Sequence, residues 1–348
     1  MQGLTCYAWF VILGLAGNPM RRRDFITLIG GAAAWPRAVS AQRSDRVRRI
    51  GVLIGLAADD PDAKARLSAF RQGLDRLGWS EGGNVRLDYR YAPAGAQAQL
   101  LAKELVALQP DVILAQTTPV VLALQRQTRT IPIVFVSFAD AVGSGLVTSL
   151  ARPDGNATGF MLFEASITGK WLAMLKEIAP RLERAALVIN PKTAAYYEFY
   201  LRAAQAAAPS LAIEIVFVPI GNAAIDIERA IEVFARTPNG GLVLPPDSFT
   251  VVHRDLIIAL AARYKLPAVY PDRLFVAAGG LMCYSTNRAD QFGQAASYID
   301  RILRGAKPAE LPVQVPTKYE TVINLKAAQV LGFTIPPGLL VAADQVIE

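Results

Sequence analysis

"PDVILAQTTPVVLALQRQTRTIPIVFVSF", residues 110–138, contains the plan of the whole chain in one unit. Val112 to Ala115 is a short unbroken apolar run, closed by the polar Gln116-Thr117-Thr118. Pro119 to Gln127 then spaces its apolar residues as a helix does, and Ile133 to Val136 is a second apolar run. Strands with no polar face, joined through helices, predict a parallel sheet covered on both sides.

The same rhythm extends in both directions. Upstream, Arg49 to Ile54 and Val85 to Tyr91 read as strands, with helices over Ala63 to Leu77 and Ala96 to Leu108. Downstream, Val142 to Leu150 is expected to be helical, and Arg152-Pro153-Asp154-Gly155-Asn156 is a turn-rich pause. The pattern then restarts. Helices are expected at Thr168 to Ile178, Ala194 to Ala208, Ala224 to Ala235 and Leu256 to Tyr264. Between them Ala185 to Ile189, Ile213 to Val218, Gly241 to Leu244 and Ala268 to Tyr270 read as strands. Two successive α/β series of similar size predict two Rossmann-like lobes with parallel sheets.

The end of the chain opens no third unit. Leu281 to Tyr284 reads as a strand and Gln291 to Leu303 as a helix. An extended stretch punctuated by Pro308, Pro312 and Pro316 leads to the strand Thr321 to Ile323 and a short helix reaching Leu331. One helix and one strand cannot bury a core alone, so they are expected to complete the sheets already laid down. The first lobe then comprises residues 42–159 and 283–316, and the second 160–282 and 317–348. The chain passes between them about three times, and several crossings side by side make a hinge.

The amino terminus reads as an address. "MRRRDFITLIGGAAAWPRAVSAQ", residues 20–42, has a basic head, a short apolar middle and a small-residue site at Val39-Ser40-Ala41. Arg22-Arg23 followed by Asp24-Phe25-Ile26 fits the twin-arginine form. Residues 1–41 are therefore expected to be an upstream extension plus a removable export signal, with translation starting at Met20. Phe25 to Trp35 is too short for a span, which needs about twenty residues. Residues 1–41 hold four arginines and one aspartate, so the exported part has 32 basic and 28 acidic residues, a net +4. These charges are scattered, and a nucleic-acid footprint would need a dense basic face. The expected product is a periplasmic monomer with no nucleic-acid partner.

Composition narrows the chemistry. The single histidine, His253, excludes a histidine-built metal site and leaves no ordinary catalytic triad. No glycine-rich phosphate loop follows any expected strand, so no cofactor is expected. Cys283 is the lone thiol after residue 41 and reads as a small buried apolar residue.

What remains is the carboxyl ends of the strands, where open α/β sheets bind ligands. Thr117 and Thr118 precede Pro119 at a helix start, where free N–H groups attract a carboxylate; plain capping would select the same residues. Ser137 and Asp140 lie at the equivalent rim after the next strand, with Asp140 equally suited to cap a helix. In the second series, Asn190 ends a strand, Tyr196 and Tyr197 follow on a helix, Asp247 ends "LVLPPD", and Tyr270 ends the next strand. A carboxylate with tyrosines facing carboxylate-binding amides would suit a zwitterion with an apolar or aromatic side chain. Core packing accounts for each tyrosine equally well.

Several segments in order carry a family resemblance: "RTIPIVFVSFADAVGSGLV" (129–147), "SLARPDGNATGF" (149–160), "NP" (190–191), "LPAVYPDRLFVAAGGLMCY" (266–284) and "LPVQVPTKYETVINLKAAQVLGFTIP" (311–336). Together they resemble the tryptophan/tyrosine-type substrate-binding proteins of bacterial ABC transporters. That resemblance implies a type I periplasmic-binding fold, an inner-membrane ABC permease as partner and a captured small solute, best an amino acid, with no catalysis. It places the ligand-carboxylate role on Thr117, Thr118 and Ser137, and the ammonium role on Asp247. Two departures stand out: Ala141 where the family more often has proline, and "CYST" at 283–286. A ligand-sensing protein of a membrane receptor is the alternative on the same fold, and a hydrolase or isomerase a more distant one.

Overall fold

The computed structural model describes residues 46–93, 97–164 and 166–348; the expected export signal and start site lie outside these. Val47–Glu348 form one compact unit built on two open sheets.

The first sheet takes five parallel strands in the order β2-β1-β3-β4-β5: β1 (Arg48–Ile54), β2 (Val85–Tyr91), β3 (Val112–Gln116), β4 (Ile133–Phe138) and β5 (Ala157–Met161). Side chains alternate across a strand, and here the alternation divides the apolar residues between two cores. Ile50, Val52, Val112, Leu114, Val134 and Val136 face the helices Pro61–Arg76 and Arg288–Leu303. Leu53, Ile113, Ala115, Ile133 and Phe135 face the helices Ala98–Ala107 and Thr118–Gln127. Both faces are covered, which is why these runs carry no polar interruption.

The helix Arg288–Leu303 comes from the far end of the chain, yet it seals the first lobe. It lies close to Pro61–Arg76 because both carry glycine at the contact. A Cβ on Gly73 would meet Ala296 Cβ at 2.7 Å and the Gly293 carbonyl at 2.8 Å. Trp79 Nε1 donates to Asp300 Oδ1 at 2.8 Å at the end of the same interface.

The second sheet has seven strands in the order β12-β11-β10-β9-β8-β6-β7. They are β6 (Arg184–Ile189), β7 (Glu214–Pro219), β8 (Gly240–Val243), β9 (Ala268–Tyr270), β10 (Met282–Ser285), β11 (Glu320–Asn324) and β12 (Gln345–Ile347). Helices Ile167–Ile178 and Tyr197–Ala207 cover one face and Ala224–Ala235 and Arg254–Arg263 the other. Trp171 is the central buried ring: it packs edge-on to Phe163, stacks with Tyr200 and donates from Nε1 to the Tyr284 carbonyl at 2.8 Å. Cys283 is buried here, which pushes its thiol up to about 12. Among the described residues no helix is long and apolar enough to cross a membrane.

Several expectations change. Val142 to Leu150 is a run of turns, not a helix. Asp140 Oδ1 accepts from Gly143 N at 2.8 Å and Gly145 takes φ +70°, so the chain folds back on itself before a helical ladder can start. β5 comes directly after the turn-rich pause and extends the first sheet through Phe138↔Met161, so the first crossing comes after Met161 and not at 159. β10 remains in the second sheet through Ser285↔Glu320, so residues 283–285 lie in the second lobe and the return crossing is at Thr286-Asn287. The third crossing lies between Gln314, bridged to Phe160, and the start of β11. β11 runs antiparallel to β10, the one reversed pair among the described strands. Short helices Ser248–Val252, Arg273–Ala277 and Pro337–Ala342, with β12, complete the second lobe beyond the expected elements.

Gly159 is the tightest point of β5, at φ +151° with its α-carbon against β4. A Cβ there would stand 2.0 Å from the Phe135 carbonyl oxygen. Gly159→Ala is therefore expected to cost on the order of 3 kcal/mol, because backbone strain and a backbone clash add; urea unfolding measures it.

Candidate functional site

The strand tips of the first lobe and the loops of the second enclose a cavity of ≈ 150 Å³. On the first-lobe side its wall is built at the carboxyl ends of β1, β3 and β4. After β1 come Gly55, Leu56 and Ala57; after β3, Thr117, Thr118 and Pro119; within β4, Ser137. The helix Thr118–Gln127 starts here with no side chain capping its first turn. Thr118 Oγ1 instead accepts from Ala139 N at 3.1 Å, tying that helix start to the end of β4. A helix amino end with open N–H groups carries the positive end of the helix dipole and suits a carboxylate.

Two backbones at this wall are strained. Thr117 has φ +77° with ψ 148°, and Ser137 has φ +55°. A β-branched residue in that region is an outlier costing about 1–3 kcal/mol, of a kind that clusters at ligand sites. The turn at Ser137 breaks the β4–β5 register between Phe135 and Phe138 and aims the Ser137 hydroxyl at Gln291 Oε1, 3.4 Å away.

The second-lobe wall is organised by Asp247. Its Oδ1 accepts from Phe249 N at 3.0 Å, capping Ser248–Val252, and from the Thr193 hydroxyl at 2.5 Å. Its Oδ2 accepts from Asn190 N at 3.0 Å. Burial pushes the Asp247 carboxyl above the usual carboxylate range, with these hydrogen bonds opposing the rise. Tyr196 donates to the Pro246 carbonyl at 2.8 Å and closes the wall with its ring; burial raises its hydroxyl further from ionisation. Ser248 Oγ, buried beside them, has no hydrogen-bond partner among the described residues.

The structure thus brings Thr117, Thr118, Ser137, Tyr196 and Asp247 to one cavity. Asp140 lines the neighbouring hollow of ≈ 660 Å³, which shares Thr118, Pro119 and Tyr196 with the first. Asn190 stands behind Asp247: its side chain donates to the Gly221 carbonyl and Asn222 Oδ1, both at 2.9 Å, and it does not line the cavity. Tyr270 is turned away. Its ring stacks on Phe275 at 4.9 Å in the core on the other side of the sheet, because the strand alternation that buries Val269 on one face sends Tyr270 to the opposite one. Tyr197 stacks on Phe217 outside the cavity, and His253 packs against Phe249 between two short helices.

The cavity floor was not visible as a motif. Asp272 caps Arg273–Ala277 by accepting from Leu274 N, and its Oδ2 lies 2.6 Å from Arg288 Nε and 3.7 Å from Arg66 Nη2. These residues come from three separate elements of the chain. One signal points to Asp272: "PPDS" and "YPDR" repeat a Pro-Asp pair at a helix start, so the residue that recommends Asp247 recommends Asp272 too.

Two open α/β lobes, three crossings and a cavity between strand tips define the type I periplasmic-binding fold. Residues 50–347 match the ABC transporter substrate-binding protein family, and the chain belongs to it. Among curated proteins it is similar to a tyrosine-binding protein of Clostridioides difficile, 22% identical over 284 residues and 81% of each chain. Among solved structures it is similar to a conserved domain protein of Vibrio cholerae, with TM-score 0.79 and 28% identity over 86% of this chain and 100% of that one. It also shares its fold with an ABC domain in complex with L-Trp from Streptococcus pneumonia, at TM-score 0.78 and 24% identity over 86% and 99%.

Glycine at position 117 would relieve the strained backbone. Thr117→Gly is expected to raise the stability of the ligand-free protein by about 1 kcal/mol, net of the added freedom of the unfolded chain; the urea midpoint reads the change.

Proposed function

We propose that this protein is the solute-binding component of an ABC importer and that it captures an amino acid, best an aromatic one, in the cavity between its lobes. The observation that carries this is the opposition of two walls across one cavity. An uncapped helix start with Thr117, Thr118 and Ser137 faces a buried Asp247 carboxylate flanked by Tyr196. The first wall suits a carboxylate, the second an ammonium, and the Tyr196 ring with the apolar side chains of the lining a hydrophobic body. The relatives named for tyrosine and found with L-Trp support the aromatic class.

In this function the lobes open about the three crossings, close on the ligand and present the closed form to a permease. Closure requires that the ligand bind the closed form more tightly, since equal affinity would shift nothing. The amino-terminal export signature supports a periplasmic location, reached by the twin-arginine route.

Residues 42–348, screened by thermal shift against L-amino acids, should be stabilised by about 2.7 kcal/mol at roughly a hundredfold excess of ligand over its Kd. Asp247→Asn keeps one acceptor oxygen for the helix cap but removes the charge and sets an amide NH2 against Asn190 N, so it should weaken a zwitterionic ligand at least about tenfold and a deaminated analogue much less. No stabilisation by any amino acid would overturn the proposal.

The Asp247 carboxyl sets a pH dependence. Its folded value lies above the unfolded one, so in the ligand-free protein ionising it costs stability, which falls as pH rises past the ordinary carboxylate range. A ligand ammonium favours the ionised form. Binding should therefore release a proton near that raised value, and affinity should fall as the pH drops through it. Calorimetry in buffers of different ionisation enthalpy measures the proton.

A further inference from the structure

Two aspartates of the second lobe sit in equivalent places and use their carboxylates differently. Asp247 and Asp272 each follow a proline shortly after a strand, and each caps a short helix, Ser248–Val252 and Arg273–Ala277. Asp247 bonds within its own lobe, to Phe249 N, the Thr193 hydroxyl and Asn190 N. Asp272 gives Oδ1 to Leu274 N at 3.0 Å and turns Oδ2 toward the opposite lobe. That oxygen lies 2.6 Å from Nε of Arg288, the first residue of the first-lobe helix Arg288–Leu303. It lies 3.7 Å from Nη2 of Arg66, on the first-lobe helix Pro61–Arg76. Arg288 Nη2 also donates to the Pro271 carbonyl at 3.2 Å.

The cluster is shut away from bulk water. Arg66 is 4% exposed and Asp272 3%, and Leu56, Leu162 and Leu274 line the cavity with them. Charge balances within the set, because Arg66 also pairs with Asp62 on its own helix at 2.8 Å. Without the Asp272 charge, two buried guanidinium groups would face Asp62 alone. Burial already lowers the Arg288 pKa; Asp272 opposes that fall and Arg66, a like charge, adds to it. Removing one partner of a buried ion pair is costly because the others stay desolvated. Here that cost falls on one conformation. Asp272 and the arginines belong to different lobes, so they share this buried place only while the floor of the cleft is shut, and opening returns them to water. The apolar cores of the lobes include none of the four residues.

From this we infer that Asp272 is a positioning residue for ligand capture: through Arg66 and Arg288 it clasps the lobes in the closed form, and so sets how long a bound ligand stays. It does this by holding one lobe against the other, with no contact to the ligand required. Asp247 and Asp272 thus divide the work of one sequence pattern, the first building a wall within its lobe and the second joining the lobes. This inference rests on the lobe closure of the proposed function and adds the residues that govern it, independently of which solute is held.

The test measures the width of the cleft in residues 42–348. Spin labels on Gln99→Cys and Arg202→Cys, exposed on opposite walls of the neighbouring hollow, report it by double electron–electron resonance, with the buried Cys283 left unlabelled. The protein is first freed of ligand by refolding from denaturant. Asp272→Asn, which keeps the Oδ1 cap acceptor, should lower the ratio of closed to open forms by about tenfold or more. Arg66→Gln should shift it the same way, and the double variant little further than the larger single shift, since both cut one link. With L-tryptophan as the probe in stopped flow, Asp272→Asn should release it about tenfold faster and take it up no more slowly, because entry uses the open form. Circular dichroism checks folding, and Arg66→Gln carries the test if Asp272→Asn does not fold. An unchanged distance distribution in either folded variant would overturn the inference. Shifted distances with no binding of any amino acid would uphold it and overturn the amino-acid reading instead.

Discussion

A parallel sheet whose strands are apolar on both faces must be covered twice, and the first lobe cannot do this with its own segment of chain. Residues before the first crossing supply Pro61–Arg76 on one face and Ala98–Ala107 with Thr118–Gln127 on the other. The remaining half of the first face, over Val134 and Val136, is closed by Arg288–Leu303, which arrives only after the second lobe has been built. Gly73 and Gly293 make that packing close enough to exclude water. Since the helix must return, the chain must cross back, and it must cross again to place β11 beside β10. The linked lobes are thus a consequence of core burial.

The same constraint sets the character of the site. Strands that end at a common edge bring loops and helix starts together, each with backbone groups needing partners. Asp60, Asp247 and Asp272 answer three of these needs as caps. The helix after Thr117 has no such cap, and its residue 117 is held in a backbone conformation that a β-branched side chain avoids. Stability is spent there on an uncapped helix start at the cavity wall. Asp247 shows the opposite balance, since its carboxylate is shared between holding the second-lobe loops in place and presenting charge to the cavity.

Much of this was legible in the linear chain. Continuous apolar runs such as Val112 to Ala115 have one physical explanation, burial on both faces, and the helices between them are set by spacing. The carboxyl ends of those runs pointed to Thr117, Thr118, Ser137, Tyr196 and Asp247, all of which reach the cavity. Local rules failed where local interactions were not decisive. The stretch after Asp140 has apolar spacing, but an Asp140–Gly143 turn consumes the backbone group that would begin a helix. Tyr270 ends a strand as Asp247 nearly does, yet side-chain alternation sends it to the core. Asn190 ends a strand too, and its role is to hold Asp247.

The amino-acid sequence by itself determined the α/β class, the two series of strands and helices, and the edge at which the cavity forms, because hydrophobic period and turn chemistry act over a few residues. Only the tertiary structure decided that Arg66, Asp272 and Arg288 share one floor, that β11 is reversed, and that Tyr270 faces inward. Those outcomes depend on which helix covers which face and where the chain recrosses, and such contacts join residues as far apart as Arg66 and Asp272.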